Sequence, residues 1–276
     1  MPSVVNLGTL ERYRVPVGAQ MSLLANIDAR DNEGIPFPRA ETEASTALDI
    51  KKIRRLQEIL YAQAARALLV VLQGLDTSGK DGTIRKVFGR VPPLGITAIS
   101  FKKPTPDELA HDFLWRIHRA VPPIGMIAVF NRSHYEDVLV ARIHNLVEPD
   151  QIEARYKQIN DFERLLVENR IAIVKLFLHI SKKEQKKRLR ARLADSNKRW
   201  KFNPDDISER QYWDEYVAAY ELALQRCSTI EAPWFIVPAD RKWYRNAIIA
   251  RIVRCTLEAM DLRYPADAPG LDKIRI

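Results

Sequence analysis

Five short apolar runs, separated by helical stretches, constrain this chain more than any other feature. ALLVVLQG ends at Gly74, and ITAISF (96–101), GMIAVF (125–130), IAIVKLFLHI (171–180) and APWFIV (232–237) follow the same theme. Runs of this length suit strands buried on both faces of a parallel sheet. Alternation with helices predicts a doubly wound α/β fold with three layers and a central parallel sheet, rather than a β-sandwich or a bundle. Ligands in such folds bind beyond the carboxyl ends of the strands. Ahead of the first run, Leu48, Ile53, Leu56, Ile59 and Leu60 recur at near-helical spacing, which predicts a long amphipathic helix from Glu41 to about Ala65. Residues 1–40 carry Pro, Gly and mixed charge and read as an extension wrapped on the body.

The first run opens onto Q-G-L-D-T-S-G-K-D-G, residues 73–82. Gly74, Gly79 and Lys80 fill the pattern of a phosphate-binding loop, but Asp81 stands where a metal-binding hydroxyl is usual. Such loops aim backbone N–H groups and a helix N-terminus at one anion. The preceding strand and a helix starting near Gly79 give the right context, with Thr77, Ser78 and Gly82 completing the cradle. Lys80 is expected on the phosphate oxygens as a point charge. Asp76 inside the loop would repel phosphate unless a metal intervened. Magnesium accepts one or two carboxylates with phosphate and water, so Asp76, helped by Asp81, is the expected ligand, with manganese as an alternative ion. Asp81 reads equally well as a first-turn acid favoured by the helix dipole.

The third run ends in N-R-S-H-Y-E-D-V, which places Asn131, Arg132, Ser133 and His134 beside the loop at the carboxyl end of another strand. Arg132 and Arg142 are candidate phosphate clamps. His134 reads as a structural hydrogen-bonding residue before a catalytic one. A third segment, Lys182 to Lys201, holds ten basic residues against two acids, a local net charge of +8 in a chain whose net charge is +9. Within it Leu189 and Leu193 are expected to pack inward, with Arg188 and Arg192 on an adjacent face. Asp195 to Asn203 reads as a mobile loop carrying Lys198, Arg199 and Lys201. Solvated faces normally mix charges, so this lopsided run indicates anion binding.

These segments together resemble the polyphosphate kinase 2 family, whose members move phosphoryl groups between inorganic polyphosphate and nucleotides. The resemblance rests on G-L-D-x-x-G-K-D-G (Gly74–Gly82), F-N-R-S-H-Y-E-D-V (Phe130–Val138) and the lid R-x-x-x-x-x-K-R-W-K-F (Arg192–Phe202). It implies a P-loop kinase-like domain over 41–265 with a helical lid at about 182–210, followed by a tail at 266–276. Asp76, Lys80, Arg132 and Arg192 are then the implied catalytic residues, with magnesium on Asp76. The loop (Gly74, Thr77–Gly82) and Lys198, Arg199 and Lys201 are implied to bind polyphosphate. Asn131, Arg132, Ser133, His134, Glu136, Asp137 and Arg142 are implied to face the nucleotide. Many members carry Asp-Arg and a W-Y-N-R-A type sequence in the second motif, the Asp being a second metal ligand. Asn131-Arg132 and S-H-Y-E-D-V depart from that, and an amide oxygen is a weaker ligand for a hard cation. The departure resembles class III, which phosphorylates both nucleoside monophosphates and diphosphates. AMP, ADP and ATP are the implied nucleotides, guanine nucleotides are further candidates, and a homodimer or homotetramer is expected.

An ATP-dependent nucleotide kinase of thymidylate-kinase-like fold shares the loop and lid, but a +8 segment exceeds what one triphosphate requires. A nucleic-acid-binding P-loop protein is the other reading, and it is not the expected one. Cys227 and Cys255 form no metal or disulfide motif, which fits a reducing cytoplasm. No signal peptide or membrane span is expected. Trp115, Trp213, Trp234 and Trp243 read as packing residues, whereas Trp200, among basic residues, could stack on a base or anchor the lid.

Overall fold

The computed structural model describes residues 7–20, 22–271 and 274–275, with Lys201 described by its backbone alone. Residues 1–6 and 21 of the expected extension, 272, 273 and 276 of the expected tail, and the side chain of Lys201 lie outside the described residues. The strands are β1 (Ala67–Gln73), β2 (Ile96–Ser100), β3 (Ile127–Asn131), β4 (Ile171–His179) and β5 (Trp234–Pro238). They form one sheet in the order β2-β3-β1-β4-β5, and every pairing is parallel. Each strand falls on one of the five apolar runs. All seven residues of β1 are buried, as a strand with neighbours on both edges and layers on both faces must be.

Six helices of eight residues or more are found among the described residues: α1 (Arg39–Gln63), α2 (Glu136–Ile143), α3 (Pro149–Glu168), α4 (Lys182–Ala194), α5 (Trp213–Cys227) and α6 (Lys242–Ala259). Side chains of β1 alternate between two cores. Leu68, Val70 and Leu72 face α1 and α6, whereas Ala67, Leu69 and Val71 face α2, α3 and α5. The helix expected from Glu41 spans Arg39–Gln63 and ends at Ala64, whose left-handed φ of 46° lets its N–H reach Leu60 O at 3.0 Å. Leu48 is a correction to the apolar stripe, being 63% exposed. The stripe runs instead through Ile50, Ile53 and Leu60. Asp49 joins it because Arg251 and Arg254 of α6 each approach its carboxylate at 2.8 Å.

The N-terminal segment is tied down at several points. Val15 N donates to Trp234 O at 2.9 Å, and the Tyr13 hydroxyl meets Tyr244 at 2.8 Å and Asp31 at 2.6 Å. Between β4 and α5 the chain forms α4 and three short helical turns, Arg199–Lys201, Asp205–Ser208 and Glu209–Tyr212, the basic segment taking α4 and the first of them. Arg210 returns to Lys182 O and Gln185 Oε1, closing this excursion on itself. No helix among the described residues is long and apolar enough to cross a membrane.

The topology positions the site. The chain leaving β1 packs on the α1/α6 face through Val87 and Phe88, whereas that leaving β3 packs on the opposite face through Val138 and Leu139. Adjacent strands with connections to opposite faces leave a crevice at their carboxyl ends. The loops 74–80 and 131–136 line it.

Candidate functional site

The phosphate loop turns on two glycines. Gly74 has φ 145° and a side chain there would meet Leu178 O at 2.8 Å; Gly79 has φ 110°. Thr77 also has a positive φ, 62°, as does Arg132 across the crevice, 65°. Each such residue costs on the order of 1–3 kcal/mol and persists where its surroundings dictate it. The helix expected from Gly79 begins at Lys80 but runs only to Thr83 before widening into a π turn, Ile84–Phe88. The hydroxyls of Thr77, Ser78 and Thr83 are buried without a hydrogen-bond partner.

Lys80 is nearly enclosed, and its Nζ donates to Gly74 O at 2.5 Å and to Leu75 O at 3.4 Å. Burial, then the neighbouring Arg132, push its pKa down to about 8, against the pull of Asp76, Glu136 and Asp81. Arg132 joins the two loops. Its Nη2 donates to Asp76 Oδ1 at 2.7 Å and its Nη1 to Glu136 Oε2 at 3.2 Å. Those carboxylates raise the guanidinium's pKa, Glu136 most, over the opposing effect of burial. Lys80, Asp76, Arg132 and Glu136 thus make one charged group at the carboxyl ends of β1 and β3.

Asn131 donates through its amide nitrogen to Asp81 Oδ1 at 2.9 Å and to Ser100 Oγ at 3.1 Å. It meets Asp81 as a hydrogen-bond donor. Among the described residues no group of three His, Cys, Asp or Glu side chains is placed to hold a metal ion. The donor set nevertheless fits magnesium, which needs only one or two carboxylates when phosphates and water supply the rest. Asp76 is partly exposed to the crevice and Asp81 is exposed.

Several expected nucleotide contacts lie elsewhere. Ser133 and His134 are fully buried. Ser133 bonds to Gln73, whose amide is satisfied when it donates to Glu136 Oε1 at 2.9 Å and accepts from Ser133 N and Oγ at 3.1 Å. His134 Nε2 meets Glu163 Oε1 at 3.2 Å. Ser133 is therefore corrected from a ligand-facing residue to a support of the second motif, as is the nucleotide contact the resemblance implied for His134, whose reading as a structural hydrogen-bonding residue holds. Asp137 turns toward Arg116 at 3.8 Å, and burial lifts its pKa to about 6 despite Arg116 and Arg155. Arg142, at the end of α2 away from the loop, pairs with Glu153 at 3.5 Å. Its side chain is directed to α3, which corrects its reading as a clamp.

The basic segment is also partly redirected. Arg192 pairs with Asp206 at 3.1 Å, and Asp206 is close enough to Asp76 for that carboxylate to raise its pKa, after burial itself. Lys198 pairs with Asp195, and Arg199 Nε donates to Leu193 O at 2.8 Å. Leu189 packs inward, whereas Leu193, in the last turn of α4, is 41% exposed, which corrects its reading as a packing residue. Trp200 is 76% exposed and donates to Asn197 O at 3.0 Å. Arg188 turns into the body, where Nη1 bonds Thr77 O at 3.0 Å and Ser78 O at 2.9 Å, and Nη2 bonds Ala239 O at 2.6 Å and Asp240 O at 2.9 Å.

Sequence reasoning missed this role of Arg188, and it missed Arg245, whose Nη1 also bonds Ser78 O, at 3.0 Å. It missed the buried Lys175 too, which bonds Glu163 Oε2 and Cys227 O at 2.5 Å each and Tyr135 OH at 3.0 Å. One signal was available. A lone lysine inside IAIVKLFLHI must find a buried partner.

Comparison with known proteins places the whole arrangement. A family model described as Polyphosphate kinase 2 (PPK2) matches residues 38–265. A Meiothermus ruber protein named AMP/ADP-polyphosphate phosphotransferase is 43% identical over 267 residues, covering 97% of this chain and 100% of its own. A Rhodopseudomonas palustris ADP-polyphosphate phosphotransferase is 41% identical over 236 residues, 81% of this chain and 82% of its own. The crystal structure of polyphosphate kinase 2 from Arthrobacter aurescens TC1 superimposes with a TM-score of 0.92 at 40% identity, covering 96% of this chain and 94% of that one.

Proposed function

The chain belongs to the polyphosphate kinase 2 family, and on that premise we propose that it transfers the terminal phosphoryl group of inorganic polyphosphate to AMP and to ADP. The observation that carries this reading is Arg132, which ties the phosphate loop to the second motif through Asp76 and Glu136. Donor and acceptor phosphates are two polyanions, and the chemistry needs them aligned and neutralised more than it needs a base. An oxygen of the acceptor's terminal phosphate attacks the end phosphorus of the chain. The bond from that phosphorus to the bridging oxygen breaks, and the chain leaves one phosphate shorter.

Lys80 is placed to exchange the Gly74 carbonyl for phosphate oxygens, and Arg132 to face the transferring group. Arg192 joins them when it leaves Asp206. Magnesium held by Asp76, with Asp81 nearby, would neutralise charge on the phosphate oxygens. No phosphoenzyme is needed, and the enclosed His134 is not positioned as a nucleophile. Glu136 sits beside Arg132 at the acceptor side, where it serves the choice between the shorter monophosphate and the diphosphate. The segment 182–210 is the lid of a single catalytic domain over 41–265, and Lys198, Arg199 and Lys201 guide the chain. In this reading the enzyme works in the cytoplasm as a homodimer or homotetramer.

The test is formation of ADP and ATP from AMP with long-chain polyphosphate and magnesium. Both products are expected, and Lys80→Ala and Asp76→Asn should lose them. Phosphorylation supported by ATP but not by polyphosphate would overturn the reading.

A further inference from the structure

Arg245, on the first turn of α6, is only 2% exposed, yet among the described residues no carboxylate pairs with it. It donates to Ser78 O at 3.0 Å and to the neighbouring Asn246 Oδ1 at 3.0 and 3.3 Å. The guanidinium lies directly against the phosphate loop. A Cβ added to Gly79 would stand 1.8 Å from its Nη1, and one added to Gly82 would stand 3.5 Å from its Nη2. The second loop glycine is therefore required by Arg245 as well as by its own φ.

The neighbours add positive charge rather than removing it. Arg188 reaches the same Ser78 carbonyl and shares Glu184 with Lys187. Lys242 is close enough for Arg188, Arg245 and Lys198 all to disfavour its charge, burial being the largest cause and Glu184 the one opposing carboxylate. Burial, then Arg188, push the Arg245 pKa down to about 9, which still leaves it charged at neutral pH.

A buried charge without a counter-ion is unfavourable, and stability alone would replace it with a neutral residue. Its cost is offset when an anion arrives nearby. The phosphate loop binds anions on backbone N–H groups, and a hydrogen bond to the Ser78 carbonyl polarises the peptide whose N–H belongs to Gly79.

We infer that Arg245 is a positioning residue for polyphosphate: an enclosed, unpaired positive charge beneath the phosphate loop that fixes the Ser78–Gly79 peptide and is compensated by the bound phosphate chain. This rests on the polyphosphate reading above. Arg245 does not touch the substrate. It acts through the loop, so its effect falls on the donor and spares the acceptor.

The experiment compares wild type with Arg245→Gln and Arg245→Lys. KM is measured for long-chain polyphosphate and for AMP, and thermal unfolding is followed with and without polyphosphate in magnesium. Arg245→Gln should unfold at the same temperature as wild type or higher in the absence of polyphosphate. It should gain less from polyphosphate, with KM for the chain raised about tenfold and KM for AMP unchanged. Arg245→Lys keeps the charge and should recover most of the affinity. A glutamine variant that is less stable or unfolded without ligand would overturn the inference, because it would mark a purely structural arginine. So would equal changes in both KM values. A wild type that neither uses polyphosphate nor is stabilised by it overturns the underlying functional reading, and this inference with it.

Discussion

Two buried clusters of charge, one against the α2/α3/α5 face of the sheet and one at the carboxyl ends of its strands, differ in whether the charges are balanced. Beneath α2, α3 and α5, Lys175 is fully enclosed and meets Glu163, Tyr135 and a backbone carbonyl, while Glu163 also meets His134. Burial alone would raise the pKa of Glu163, but Lys175 and His134 overcome it and hold the carboxylate below its ordinary value. Around the phosphate loop, Lys80, Arg188 and Arg245 aim mainly at carbonyl oxygens. The first cluster has its counter-ion built in, and the second has it only in part. A complete cluster fixes the second motif, and an incomplete one is suited to a ligand that brings negative charge.

The largest expected effect tests the complete cluster. Glu163→Gln should lower stability by about 3–5 kcal/mol, since it strands the Lys175 charge in the core. Combining Lys175→Met with Glu163→Leu should restore much of that loss in urea unfolding. If Glu163→Gln unfolds like wild type, the cluster is not held together by its charges.

At the incomplete cluster the effect should fall on turnover. Lys80→Ala is expected to reduce kcat by at least about 100-fold, or roughly 2.7 kcal/mol, while leaving the far-UV circular dichroism unchanged. A kcat within a few-fold of wild type would remove Lys80 from the chemistry.

The protonation of Lys80 sharpens the same point. Its depressed pKa means that the charged form is lost as pH rises through about 8. Because kcat/KM reports the free enzyme, its value for polyphosphate should fall about tenfold per pH unit above that point. A flat profile to pH 10 would contradict the assigned environment.

On the exposed side of α4, Leu193→Ser should change stability by no more than about 0.5 kcal/mol, because the side chain reaches solvent. A loss of several kcal/mol would mean that Leu193 packs inward, as its spacing from Leu189 suggested.

Local pattern made the sheet readable. Apolar runs mark strands, and all five appear where the runs lie, but β2 at the sheet edge has no buried residue and corrects the expectation that every run is covered on both faces. The phosphate loop and second motif were equally plain, since their residues are contiguous in sequence. What remained hidden depends on contacts between distant segments. Arg245 meets Ser78 across 167 positions and Arg188 meets Thr77 across 111, and nothing local distinguishes such arginines from solvated ones. Leu48 and Leu193 erred the other way, as spacing alone does not say which apolar residues a helix presents to its neighbours. The nucleotide contact implied for His134 fails because the turn at the positive φ of Arg132 leads into the buried cluster around Glu163, where the histidine makes the structural hydrogen bond expected of it.

The most direct measurement of the central claim is a competition experiment with labelled long-chain polyphosphate bound to the wild-type protein in magnesium. Unlabelled polyphosphate and duplex DNA of equal phosphate content would be added at constant ionic strength. Polyphosphate should displace the label at far lower concentration than DNA, because a loop backed by enclosed cations fits a bare phosphate chain. Equal displacement by both would show a general polyanion surface and would contradict the central claim.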